Sequence, residues 1–562
     1  MVNARPSSLT TIRSLADYII YKDGSTYYAI NAQTGSTAVS PNSNFTTLMN
    51  SMFTAATAGD RIFIEKGNYV VPTTISGKSG VRLYGDGRAT VFDCSTMSAY
   101  DYAMEWFGTL GTSTAVATSV AQGDTHIHVN SSSGYTADDI LFLTSTDQWK
   151  TSNPTGTLKG ELHYAGTIES GIVNLRTGAS VHPALAYTFD SYANTTSTLQ
   201  KVTPMSNVII DGITFIGDES LQLEAIYVTY GDNFTINNCF FQLMEGEAVQ
   251  YQSCMNSRVI NSYFANNDRI ETDGEGYGVG LSQAVQNIDI SGNHFIACRH
   301  AVAGGAGTYA GVPRGVHVHG NTARDCGVTV GGGPVGSFNW HNVGENINFT
   351  DNIIQGGGYG FDAYQYSGLI ANNTVYGAVG GVEFDCTAGD GVLVEGNLFQ
   401  NCWSNAIVSN TANTRKDVIS NNHFINNGYI SAVPVIAMAA RSTGLVIMGN
   451  KFEDSATFAI ALNNCSGAVI KDNFFRGSGK FNGNHGHITL YTTAGGNLIT
   501  NNVFRQGSNS SKPESCVAIG SGCVTNIIRY NDMQSGTSTY ISDSGTTTVK
   551  DHNYAYPTGA VI

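Results

Sequence analysis

Apolar residues come in phrases of three to five along most of the chain, alternating with polar neighbours and ending at Gly, Asn, Asp or Ser. Phrases such as Arg61-Ile62-Phe63-Ile64 and Val81-Arg82-Leu83-Tyr84 have the period of two expected of half-buried strands. One segment departs from that period. From about Asn44 to Thr57, Phe45, Leu48, Met49 and Phe53 fall on one face of a helix. In the C-terminal half the strand phrases carry a fixed polar mark. Ten Asn recur 21 to 31 residues apart, at Asn293, Asn321, Asn352, Asn373, Asn397, Asn422, Asn450, Asn473, Asn502 and Asn531, and two residues after each stands a hydrophobic or small residue. A repeat of that length built of short strands is the signature of a solenoid whose unit is one coil. The pattern predicts an all-β chain, a parallel β-helix, with the helix covering the strand edges that an open first coil would expose.

Coils stacked about 4.8 Å apart let an Asn at one turn position hydrogen-bond to the Asn above and below. Its own backbone is expected to take the left-handed conformation of the corner. Cys298, Cys326 and Cys402 each follow a ladder Asn by five residues, as an internal column of small apolar residues would. The phrases divide the chain into residues 1–107, an N-terminal cap and first coils; 108–203, where Thr125-His126-Ile127-His128-Val129 and Ile140-Leu141-Phe142-Leu143 break the period as a β-rich insertion packed on the solenoid; 204–533, uninterrupted coils with the groove; and 534–562, a tail or cap.

Composition narrows the function classes. With 13% charged residues and 65 Gly, the chain suits short strands and tight turns rather than a helical bundle or disorder. There is no run of about 18 apolar residues to span a membrane, and Met1 to Leu15 lacks the apolar core of a signal peptide. Ten Cys without a CxxC pair suggest buried thiols rather than a zinc site or a disulfide framework. A net charge of −15, from 28 basic and 43 acidic residues, argues against nucleic-acid binding, which needs a basic stripe. An anionic polymer would need a local basic site or a bound cation.

The phrase Asp17-Tyr18-Ile19-Ile20-Tyr21-Lys22-Asp23-Gly24, the segment Gly85-Asp86-Gly87, the insertion around Gly160-Glu161-Leu162-His163-Tyr164 and the Asn-punctuated coils resemble the pectate-lyase-like superfamily of right-handed parallel β-helices. The resemblance covers nearly the whole chain. It implies the fold; for activity it implies a range, from polysaccharide lyases, glycoside hydrolases and uronate epimerases to tailspikes and adhesins. It also implies an extracellular or secreted location, or a virion surface. Lyases of this superfamily commonly pair calcium with an Arg or Lys base, or use a Lys and Arg pair, and no Lys stands in the strands aligned below.

Function therefore rests on a site. The last strand phrases of successive coils, Val279 to Ser282, Val302 to Gly305, Phe338 to His341, Phe361 to Tyr364 and Val382 to Asp385, put Gly280, Ala303, Asn339, Asp362 and Glu383 in one outward column, with Ser282, Gly305, His341, Tyr364 and Asp385 in the next. Gly278, Gly280, Ala301, Ala303 and Gly305 are expected to form a floor on which a sugar ring could lie. Around it stand Tyr277, Arg299, His300 and His341, in the stretch where five of the 13 His and Arg299, Arg314 and Arg324 concentrate. These residue types suit β-elimination from a uronate polymer. Arg299 would bind the carboxylate bidentately, His300 and His341 would act as base and orienting group, and Tyr277 or Tyr364 would donate the proton or stack on the sugar. Asn339, Asp362, Glu383, Asp385, Arg314 and Tyr359 are the expected substrate-binding residues.

Two other functions stay open at this level. Asp362, Glu383 and Asp385 have the spacing of glycosidase acid and base pairs, and a tailspike-like or adhesin-like binder would use the same groove without cleaving. Asp268, Glu271, Asp273 and Glu275 place four carboxylates in eight residues. They are calcium-ligand types without the order of an EF-hand loop, so a solvated acidic loop is the alternative. Long strands without a hydrophobic stripe favour a monomer over a homotrimer.

Overall fold

The computed structural model describes residues 15–149, 156–176, 185–186, 197–267, 276–305, 310–328, 333–341, 343–384, 389–409, 416–440, 444–479, 486–507, 515–534, 539–556 and 558–562. The chain forms two compact units, residues 1–317 and 318–562.

The N-terminal unit opens with an antiparallel meander, Tyr18–Asp23, Thr26–Asn31 and Thr37–Asn42, followed by the helix Phe45–Ala55. The Asn44 side chain accepts from the Thr47 N–H and so caps the first turn, while Phe45, Leu48, Met49, Met52 and Phe53 are buried. Phe45 packs 4.8 Å from Tyr69 and 5.1 Å from Phe92. Phe92 heads a column of rings, Phe215, Phe241, Phe264 and Phe295, with successive centroids 5.3, 5.3, 4.8 and 4.7 Å apart. The helix thus lies on the core of the first coil, as its apolar face required. Each later coil contributes three strands, for example Ile209–Asp211, Thr214–Ile216 and Glu224–Thr229, and each pairs in parallel with its counterpart one coil on.

Between these coils the insertion forms antiparallel sheet, with Ile140–Gln148 flanked by Leu158–Glu169 and Thr198–Thr203. Ile140, Phe142, Leu162 and Val202 pack on Met255 and Ala284 of the coils, and the Gln286 amide is placed to donate to Leu162 O at 3.0 Å and accept from Leu162 N at 2.8 Å. A buried ionic contact joins the same two parts. The Glu161 carboxylate, with no solvent exposure, meets His163 Nε2 at 2.9 Å and accepts from the Ala186 N–H at 2.9 Å and Arg314 Nη2 at 3.4 Å. Burial alone would raise the Glu161 pKa; the His163 hydrogen bond and charge, the Arg314 guanidinium and the Ala186 N–H hold it below the ordinary range. Arg314, expected to bind substrate, is instead spent on this anchor.

The C-terminal unit repeats the three-strand coil, and its pairing continues beyond Met533 to Val549–Asp551. Phe399, Phe424, Phe452, Phe475 and Phe504 stack at 5.3, 4.8, 4.9 and 4.9 Å. The Asn ladder runs beside them. Asn397 donates from both its backbone N and its Nδ2 to Asn422 Oδ1 at 2.9 Å, while Asn422 Nδ2 donates to Val394 O at 2.9 Å and to Asn450 Oδ1 at 3.0 Å. The left-handed backbone is not at these Asn but one residue earlier, at Asp351, Asn372, Gly396, Asn421, Gly449, Asp472 and Asn501, with φ between 56° and 66°. That corner residue turns the chain so that the next side chain points inward, where four buried groups need it. The ladder extends to Asn553, and a second, Asn497 to Asn526, stands at another corner. Cys298 and, in this unit, Cys326 and Cys402 are buried, as their offset implied.

A hydrophobic stripe, which the sequence reading did not expect, is present in the C-terminal unit. Leu369, Leu393, Val418, Val446, Val469, Leu498, Ile527 and Val549 occupy one register position of eight successive coils. They alternate with fully buried residues such as Ile370, Val394 and Ile470, and so face outward.

Candidate functional site

The long strand of each coil in the N-terminal unit follows one burial pattern, out, in, in, out, in, out. Tyr102–Phe107, Glu224–Thr229 and Glu247–Gln252 conform, and Tyr277–Ser282 follows in register with its fourth residue, Gly280, buried. The two consecutive inward residues place Gly278 and Ala301 under the sheet rather than on its outer floor. A Cβ on Gly278 would lie 2.6 Å from the Phe295 ring. Gly280, Ala303 and Gly305 remain outward, but the floor at Gly280 is occupied, since a Cβ there would lie 2.8 Å from the Glu247 carboxyl carbon.

Register then assembles the face. The first outward column runs Tyr102, Glu224, Glu247, Tyr277, His300, and the second Glu105, Tyr227, Gln250, Gly280, Ala303. Three carboxylates, Glu105, Glu224 and Glu247, therefore stand on three successive coils. Ile226 pairs with Val249, which sets Glu224 and Glu247 at the same position of neighbouring coils, about 4.8 Å apart at the backbone. Beside them is an aromatic cluster. Tyr102 lies 4.7 Å from Tyr227, Tyr227 lies 5.1 Å from Phe107, and Tyr102 lies 6.1 Å from Phe107. Phe107 is exposed, and Tyr102 and Tyr227 are half-buried. Ser76 Oγ donates to Glu105 Oε1 at 2.7 Å, and the Tyr227 hydroxyl donates to Gln252 Oε1. Burial, then Glu224, Glu105, Glu247 and Asp101, push the Tyr102 phenol up; burial, Tyr102, Glu224 and Glu247 do the same for Tyr227. Both phenols stay protonated and can act as hydrogen-bond donors.

At the other end of the first column the structure brings Tyr277, Arg299 and His300 together. Arg299 Nη1 donates to Tyr277 Oη at 3.5 Å with its guanidinium 5.8 Å from the ring centre, and the Tyr277 ring lies 4.9 Å from the His300 ring. His300 is fully buried. The C-terminal unit holds the other predicted residues. Asp362 Oδ2 accepts from the Gly336 N–H at 2.6 Å and from Asn339 Nδ2 at 2.9 Å, and Asp362 and Asn339 are each 4% exposed. Glu383 pairs with Asp362 one coil on and is half-buried. The Tyr359 ring covers Gly380, and burial, then Glu383 and Asp362, push its phenol up to about 12. His341 and Tyr364 are half-buried. Asp385, Asp268, Glu271, Asp273 and Glu275 lie outside the described residues. Among the described residues no group of three or more His, Cys, Asp or Glu is placed to hold a metal ion, and no helix is long and apolar enough to cross a membrane.

Sequence reasoning missed Glu105, Glu224, Glu247 and their aromatic neighbours, because the strand alignment began at Val279, beyond the insertion. The signal was present. Tyr102-Ala103-Met104-Glu105-Trp106-Phe107, Glu224-Ala225-Ile226-Tyr227-Val228-Thr229 and Glu247-Ala248-Val249-Gln250-Tyr251-Gln252 share a small residue at position two and apolar residues at three and five.

Comparison with known proteins bears on the fold. No curated protein matches the sequence. Among solved structures, the tailspike gp61 of Pseudomonas phage phi297 is 14% identical, covering 88% of this chain and 74% of that one at a TM-score of 0.55. The tailspike protein gp49 of Pseudomonas phage LKA1 is 15% identical, covering 85% and 74% at a TM-score of 0.53. The family described as "Right handed beta helix region" matches residues 201–343 and 336–504, together more than half of the chain. With the parallel three-strand coils, the buried Asn ladder and this match, the chain belongs to the right-handed β-helix family.

Proposed function

We propose that the chain binds a polysaccharide along the outward face of its N-terminal unit and hydrolyses it with Glu224 and Glu247. The observation that carries this reading is the placement of these two carboxylates at one register position of neighbouring coils, beside the Tyr102, Phe107 and Tyr227 rings. Neighbouring coils give about the separation of ~5–5.5 Å at which two carboxyl groups serve as acid/base and nucleophile in retaining glycosidases. Amphipathic rings beside carboxylates suit the apolar face and hydroxyl rim of a sugar.

Charge points to the substrate class. The outward positions of these strands carry Glu105, Glu224 and Glu247 and no Lys or Arg. A uronate polymer would be repelled along most of the face, so the reading takes a neutral or amino-sugar polymer as substrate. It places the chain where such polymers lie, outside a cell or on a virion surface.

Elimination from a uronate is the second reading, favoured by the contact of Arg299 with Tyr277 beside His300. Incubation with neutral, amino-sugar and uronate polymers, following new reducing ends and absorbance near 235 nm together, separates the two. Hydrolysis of a neutral or amino-sugar polymer gives reducing ends without absorbance. Absorbance that rises on a uronate polymer moves the chemistry to Arg299, Tyr277 and His300. Polymers bound but left at full length would make the chain a binding protein.

A further inference from the structure

The aliphatic column from Leu369 to Val549 has no role in the glycan-binding face. Ile527 and Val549 are 36% and 52% exposed, and the six residues before them are half-buried. The corresponding column of the N-terminal unit reads Arg82, Ile209, Thr235, Arg258 and Asp289. Outward apolar residues are therefore no general property of this sheet. Eight in one line form an apolar patch of the kind that marks an interaction surface.

The geometry restricts what can cover it. Seven steps of about 4.8 Å make a straight line of apolar side chains about 34 Å long. An α-helix laid along it repeats every ~5.4 Å and would drift by about 4 Å, nearly a whole step, over that length. A second stack of strands with the same rise keeps step throughout, and every copy of this chain carries one. The column beside the stripe runs Glu395, Ser420, Met448, Lys471, Thr500, Arg529, Asp551. It holds both signs of charge, so two copies meeting across the stripe can set acid against base instead of like against like.

We infer that this face is the interface between copies of the chain, closing a symmetric assembly with the stripes in contact. The inference is independent of the reaction proposed above.

Sedimentation equilibrium of the full chain over a wide concentration range tests it. The wild type is expected at the mass of two or three chains. The double variant Val469→Asp, Leu498→Asp is expected at the mass of one chain with an unchanged circular dichroism spectrum, and Thr235→Asp is expected to keep the wild-type mass. Should the double variant not fold, Val469→Thr with Leu498→Thr is expected to move the dissociation midpoint at least tenfold higher in concentration. A wild type that stays at single-chain mass throughout overturns the inference, as does an assembly that either double variant leaves unchanged.

Discussion

At the scale of single residues, the division of labour between neighbours in the corners is the most testable point. Asn421 and Asn422 are adjacent and chemically identical, yet only Asn422 is buried with its amide fully engaged, whereas Asn421 supplies a left-handed corner with φ of 56°. Asn422→Ala removes the four hydrogen bonds made by one buried amide and is expected to cost on the order of 3 kcal/mol in denaturant unfolding. Asn421→Gly keeps the corner conformation and is expected to change stability by less than about 0.5 kcal/mol. The sequence showed which Asn recur but not which of two neighbours faces inward, since that depends on the corner's backbone. His487 offers a second test. It is buried against Phe475 and Phe504, its Nδ1 lies 2.9 Å from Ser478 Oγ, and burial lowers its pKa to about 3. The unfolded chain takes up this proton below about pH 6.5 and the folded chain does not. The resulting stability is whole above pH 6.5 and is lost as pH falls toward 3, at up to about 1.4 kcal/mol per pH unit. Unfolding curves at several pH values should show that slope, and His487→Leu should flatten it.

At the scale of elements, the insertion is held to its coils by a small apolar patch, by hydrogen bonds such as those of Gln286 with Leu162 and of Tyr164 with Asp232, and by a buried ionic cluster. Arg314→Ala leaves the Glu161 carboxylate buried beside His163 without its guanidinium, and a loss of about 3–5 kcal/mol is expected. Limited proteolysis should then cut first within the insertion, where wild type resists. This anchor was hard to find from sequence, because its partners lie 153 positions apart in separate elements and Arg314 falls in the same basic stretch as Arg299. The strands were legible for the opposite reason. Their alternation is local, and it separates the half-buried Glu383 from the fully buried Val382, whereas Asp362, expected to face outward as well, is only 4% exposed and is engaged with Gly336 and Asn339. The alternation failed at Gly278 and Ala301, where two successive inward residues break the period.

At the scale of the whole molecule, fold and chemistry were legible to different degrees. A repeating Asn and its ring column specify a stack of coils, since only stacking satisfies buried amides in line. The repeat says nothing about which outward positions carry chemistry, because those side chains are free to vary without disturbing the stack. The carboxylate face built from Glu105, Glu224 and Glu247 came into view only when register aligned the coils on either side of the insertion. Removing a general acid or its partner carboxylate is expected to slow cleavage by about 10²–10⁴-fold. The most direct measurement is the release of reducing ends from one susceptible polymer by wild type, Glu247→Gln and Arg299→Ala at equal protein concentration. Hydrolysis on this face predicts a loss of at least a hundredfold in Glu247→Gln, with polymer still bound, and a far smaller effect in Arg299→Ala; wild-type rates in Glu247→Gln would contradict it.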